Sequence, residues 1–133
     1  MKTTKEQYKK RRVFLTDLLR SGRYNQIKGY LRREGKGFCW SGVACDAYDI
    51  LNKVQSGWSM DECKFWLYRS HTVMPIEVRD YFGFKTQIGE FIKKKKNGKG
   101  HIRTSLVKMN DTGSDFFEIA DVIEEEPKNL FVN

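Results

Sequence analysis

Histidine, cysteine and proline are scarce in this chain, and each scarcity removes a class of function. Two histidines, His71 and His101, and three cysteines, Cys39, Cys45 and Cys63, include no CxxC pair and no His at zinc-ligand spacing. Three thiols cannot all pair internally, so they read as reduced core side chains rather than a disulfide framework. The two prolines are Pro75 and Pro127, and no low-complexity linker or internal repeat divides the chain, which predicts one domain over residues 1–133. No apolar run is long enough to cross a bilayer, and the start, Met1-Lys2-Thr3-Thr4-Lys5-Glu6, lacks the apolar segment of a secretory signal. The expectation is a cytoplasmic protein without membrane partners. Cys39 or Cys45 with His71 or His101 is the one nucleophile-and-base combination the composition allows. A thiol on an apolar helix is poorly placed to ionise, so no catalytic residue, cofactor or metal is expected.

What the chain has in excess is positive charge, +8 overall, and it is unevenly spread. Residues 1–40 carry 12 Lys/Arg against 3 Asp/Glu, and residues 91–103 carry 6 against none. Residues 104–133 reverse the sign, with 2 against 7. The acidic end can therefore lie on part of the basic one and still leave an excess for a phosphate-bearing partner.

The strongest local pattern is Phe38 to Leu51, where Val43, Ala47, Ile50, Leu51 and then Val54 recur on one helical face. This predicts a central core helix ending near residues 55–57. Its first turn is built from the small residues Ser41, Gly42 and Ala44, which permit close backbone approach, and it follows a flexible basic stretch. A helix start beside cations is a place to hold an anion.

Around that helix the pattern predicts an α+β domain, helices packed about a small antiparallel sheet with a basic β-hairpin. A first helix over residues 5–20 is opened by Thr3 and Glu6 and stopped at Ser21-Gly22. Its stripe is Tyr8, Leu15, Leu18 and Leu19, with Arg11 and Arg12 turned outward and the run from Lys9 to Arg12 solvated. Residues 23–37 form an extended or irregular segment crossing the mouth of the core helix. Cys63, Phe65 and Leu67 alternate with Lys64, Trp66 and Tyr68 as a strand does, and His71 follows in a loop. Pro75 opens and Gly83 closes a short helix docked by Ile76, Val78, Phe82 and Phe84. Asn97-Gly98 joins residues 86–96 to 99–104 in a hairpin whose type I′ turn needs positive φ at both central residues. Ser105 to Asp111 reads as a short helix. Ser114 or Asp115 then caps a last one over residues 116–126, with Phe116, Ile119, Ala120 and Ile123 as its stripe, Pro127 as its end, and Leu130 and Phe131 tucked down after it.

The last two helices could be taken for a helix-turn-helix, but Glu118, Asp121, Glu124, Glu125 and Glu126 would be repelled by a major groove. Those acids fit solvent or the basic N-terminal third. Glu118 and Asp121, one turn apart, lack the further oxygen ligands a Mg²⁺ site needs.

Four motif islands resemble a family of small uncharacterised proteins of bacteriophages and bacteria. They are Gly22-Arg23-Tyr24-x-Gln26; Phe38-Cys39-x-x-Gly42-Val43-x-Cys45-Asp46; Pro75-x-x-Val78-Arg79-x-x-x-Gly83; and Ser105-Leu106-x-x-x-Asn110-Asp111 followed by Phe116-Phe117-Glu118-Ile119-Ala120-Asp121. The resemblance implies a shared fold and transfers no catalytic residue. It also implies a phage setting, in which proteins of this size bind host factors or sequester immune signalling nucleotides.

The residues and the resemblance together suggest a non-enzymatic binder of a phosphate-containing ligand such as a nucleotide. Arg23, Lys28, Arg32, Arg33, Lys99, His101 and Arg103 would meet phosphates, Tyr24 and Trp40 would stack on bases, and Gln26 would hydrogen-bond. Two other readings compete: a nucleic-acid binder using the first helix and the hairpin, and a protein-binding inhibitor of a host enzyme anchored by Trp58, Trp66 and Tyr68. The hairpin lysines also suit an edge that resists aggregation. A homo-oligomer is left open, since no heptad pattern argues for one.

Overall fold

The computed structural model of the chain describes residues 2–33, 35–52 and 73–132. Helix α1 spans Lys5–Arg20. Its cap is Thr4, whose hydroxyl accepts from the Gln7 N–H at 3.1 Å while the Gln7 side chain accepts from the Thr4 N–H at 2.8 Å. The reciprocal box therefore forms one residue later than the pair Thr3 and Glu6, because glutamine closes it as well as glutamate does.

Leu15, Leu18 and Leu19 are buried as their spacing predicts, but the stripe also includes Arg12. Against expectation, Arg11 and Arg12 turn inward. Arg12 donates from Nε to the Phe82 carbonyl at 2.8 Å, pairs with Glu126 at 3.0 Å and lies 3.5 Å from the centre of the Phe131 ring. Arg11 donates to the Tyr81 carbonyl at 2.8 Å and sits 3.9 Å from the centre of that tyrosine's ring. A guanidinium is planar, weakly hydrated and rich in donors, so rings and carbonyls can replace its water. Lys9 and Lys10 of the same run stay exposed.

Helix α2 spans Trp40–Asn52. Its first half is buried on every side, through Trp40, Ser41, Gly42, Val43, Ala44 and Cys45. The apolar face does not run its length: Ile50 and Leu51 are exposed, and Val54 lies outside the described residues. Helix α3, Ile76–Phe82, is capped by Pro75 and closed by Gly83 in the left-handed conformation. Val78, Phe82 and Phe84 dock it, while Ile76 is half exposed.

The four described strands form two separate antiparallel hairpins. In the first, β1 (Arg32–Arg33) pairs with β2 (Gly37–Phe38). In the second, β3 (Glu90–Lys94) pairs with β4 (His101–Ser105), Lys94 opposite His101. The Asn97-Gly98 signal does mark a hairpin, but not a two-residue turn. Lys95 donates to the Gly100 carbonyl, Gly98 donates to the Lys95 carbonyl, and positive φ falls on Gly98 and Gly100 rather than on Asn97.

Helix α4, Leu106–Asp111, is capped by Ser105, and helix α5, Phe116–Glu125, by a box between Asp115 and Glu118. Phe116, Ile119, Ala120 and Ile123 bury the predicted stripe of α5 against α1. Each large side chain so buried contributes about 1.5–3 kcal/mol. Leu130 and Phe131 close the core, and α1 packs against α2 and α3 as well as α5. The result is an α+β domain whose buried apolar side chains, among the described residues, form one cluster.

Candidate functional site

The basic segment after α1 is a strap seated on α2 and α4. Its backbone is held first by β-type bonds: Phe38 donates to the Asn25 carbonyl at 2.8 Å, and Ile27 donates to the Phe38 carbonyl at 2.9 Å. Side chains then pin it to α4. Gln26 Nε2 donates to Asn110 Oδ1 and to the Ser114 carbonyl, both at 2.8 Å, and Asn110 Nδ2 donates to the Ile27 carbonyl at 2.7 Å. Asp111 accepts from the Gly29 N–H at 3.1 Å. Leu31, fully buried, lays its carbonyl over α2, where a Cβ on Gly42 would fall 1.7 Å from that oxygen. Only glycine admits this approach.

The same contacts close the anion site expected at the start of α2. The Trp40 N–H donates to Asn110 Oδ1 at 3.2 Å, and the buried Cys39 thiol lies 3.1 Å from the Ser41 hydroxyl. The first amide of the helix is thus satisfied from within. Burial pushes the Cys39 and Cys45 thiols up from their ordinary pKa, so neither is primed as a nucleophile.

The predicted site residues separate into four groups. Arg23, Lys28 and Arg33 stand exposed on the strap, with Lys36 beside them, and Arg32 is half-buried over the Phe38 ring. Among the described residues none of Arg23, Lys28, Arg33 and Lys36 has a carboxylate partner, whereas Arg12, Arg20, Arg79 and Arg103 each face one. Tyr24 and Gln26 are anchors: the Tyr24 hydroxyl donates to Asp46, and its ring meets Phe38 edge-on at 5.0 Å. Trp40 is corrected from a stacking residue to a core residue, wholly buried against Phe84 at 5.4 Å. Lys99, His101 and Arg103 are exposed on the second hairpin, Arg103 3.8 Å from Glu90. That hairpin packs on α4 at its root, and α4 also anchors the strap.

A family model described as "Domain of unknown function (DUF8296)" matches residues 5–127. The chain belongs to the DUF8296 family. No curated protein and no solved structure matches it. In this DUF8296 member three of the four motif islands converge on the seat of the strap: Tyr24 and Gln26 meet Asp46 and Asn110, and Gly42 meets Leu31. Those motif residues build a platform, and the exposed cations ride on it.

The sequence reading overlooked Tyr30. It is 44% exposed, the Arg33 guanidinium lies 5.0 Å from its ring centre, and it borders a recess of about 10 Å³ with Gly29, Val107 and Asp111. The available signal was an aromatic interleaved with Lys28, Arg32 and Arg33 in the same segment. Trp58, Trp66, Tyr68 and His71 lie outside the described residues.

A larger concavity, about 580 Å³, lies beside α1 between Lys5, Glu6, Lys9, Arg12 and Glu126. Its charges nearly balance, and Arg12 is already engaged, so it offers less to an anion than the strap does. Along α5, Asp121 and Glu124 pair with Arg20, and Glu118 is spent on its cap. No group of three or more metal-ligating side chains occurs among the described residues, and no described helix is long and apolar enough to cross a membrane.

Proposed function

We propose that this protein is a non-enzymatic binding module for a phosphate-bearing polyanion, contacted by the strap over residues 23–36. One observation carries the reading: the strap's backbone is pinned by part-buried hydrogen bonds through Gln26 and Asn110 and by an exposed one to Asp111, while Arg23, Lys28, Arg33 and Lys36 are left outward with no carboxylate partner among the described residues. A pinned backbone keeps cations at fixed spacing, so little entropy is lost when phosphates arrive. The second hairpin, which also packs on α4, carries the exposed cations Lys99, His101 and Arg103 as a second contact for the same ligand.

An extended nucleic acid fits this shape better than an enclosed mononucleotide. Small-molecule sites usually enclose about 300–1,000 Å³, whereas the recess at the strap holds about 10 Å³. Sequestration of an immune signalling nucleotide would use the same cations and is separated by the ligand that co-purifies. The test is fluorescence anisotropy with a labelled oligonucleotide across a salt series, with mass spectrometry of whatever heat releases from the purified protein. Polyanion binding predicts steep salt dependence and loss of affinity in Arg23→Ala and Lys28→Ala. A discrete nucleotide in the supernatant would move the conclusion to the small ligand, and flat salt dependence would defeat the polyanion reading.

A further inference from the structure

We infer that Tyr30 and Arg33 form a stacking platform for an unpaired base, so that the protein prefers single-stranded nucleic acid to duplex. The inference rests on the strap's being the polyanion contact. Of the rings near the strap, Tyr24 is half-buried and tied to Asp46, Phe38 is half-buried against Tyr24, and Trp40 is in the core. Tyr30 alone among these four keeps a large exposed face, at 44%.

Its backbone is fixed on both sides. Gly29 is held by Asp111 at 3.1 Å, and Leu31 is fully buried with its carbonyl accepting from the Cys39 N–H at 3.1 Å. Arg33 is held by its pairing with Gly37 across the first hairpin, and its guanidinium lies 5.0 Å from the Tyr30 ring centre. An exposed ring on an anchored backbone, with a guanidinium over it, offers a ring-and-guanidinium pair for a base to stack on and a donor fork for the adjoining phosphate. Unpaired bases can reach it. Bases inside a duplex are covered by their neighbours, so duplex would gain the phosphate contacts alone.

The experiment compares labelled oligo(dT) with a duplex of equal length, using the wild-type chain, Tyr30→Ala, Tyr30→Phe and Arg23→Ala. The single strand should bind more tightly. Tyr30→Ala should weaken it about 5- to 100-fold and leave duplex binding nearly unchanged. Tyr30→Phe, which keeps the ring, should retain affinity, and Arg23→Ala should weaken both ligands. An oligonucleotide carrying 5-iodouracil should photocross-link to Tyr30, located by peptide mass spectrometry. Equal affinity for duplex, or an unaffected Tyr30→Ala, overturns the stacking platform and leaves the polyanion reading standing. Absence of binding to either ligand overturns both.

Discussion

Arg12 and Arg20 lie on one helix and differ in what surrounds them. Arg12 has a carbonyl, a carboxylate and a ring around a buried guanidinium, whereas Arg20 bridges Asp121 and Glu124 in the open. Arg12→Ala removes charge-assisted bonds and packing together, and should cost about 3 kcal/mol. Arg20→Ala should cost about 1 kcal/mol or less, because solvent screens an exposed pair. Urea denaturation of the two variants checks the contrast. Tyr24 carries the pH dependence. Burial, and then the hydrogen bond to Asp46, push its pKa up from 10.0, so the folded state holds that proton more tightly than the unfolded chain does. The stability this contributes is intact below pH 10.0 and declines as pH rises above it. Burial pushes Tyr48 the same way. Thermal unfolding at alkaline pH should show a shallower decline in Tyr24→Phe than in the wild type.

At the scale of elements, the strap depends on the start of α2. A Cβ at Gly42 would collide with the Leu31 carbonyl, so Gly42→Ala must push the strap outward or shift the helix. Overpacking of this kind costs about 1–3 kcal/mol, and the displaced strap should also lose polyanion affinity. Calorimetry and anisotropy on the same variant test both effects. That small residues opened α2 for a close neighbour was legible in Ser41, Gly42 and Ala44. That the neighbour would be Leu31, and that Asn110 would take the Trp40 amide expected to hold an anion, was not. The hairpin was legible from Asn97-Gly98, but the turn type was decided by Gly98 and Gly100 together.

Over the whole molecule, the charges of opposite sign divide into those consumed by the fold and those left over. Acids of the C-terminal third take up Arg12 and Arg20, and the strap keeps its own cations. If four strap cations meet phosphates of a single strand, log K should fall against log salt with a slope of roughly −3, and each cation removed should lessen it by roughly 0.7. Salt titrations of Arg23→Ala and Lys28→Ala measure this directly. A slope near zero would mean that the exposed charge serves solubility alone.

Helix caps, the α5 stripe, the proline and glycine that bound α3, and the position of the second hairpin were determined by the sequence itself, since each depends on residues at most a few positions apart. Arg12 shares the helical spacing of Tyr8, Leu15 and Leu19, yet its charge argued for an outward side chain. Only the tertiary structure decided that it is buried, because its partners Phe82 and Glu126 lie 70 and 114 residues away. The same holds for Gln26 and Asn110, 84 apart, whose bond pins the strap, and for Trp40, which the core claims from the surface. Which polar groups satisfy one another across such separations, and so which cations remain for a partner, is settled when distant elements pack and exclude water.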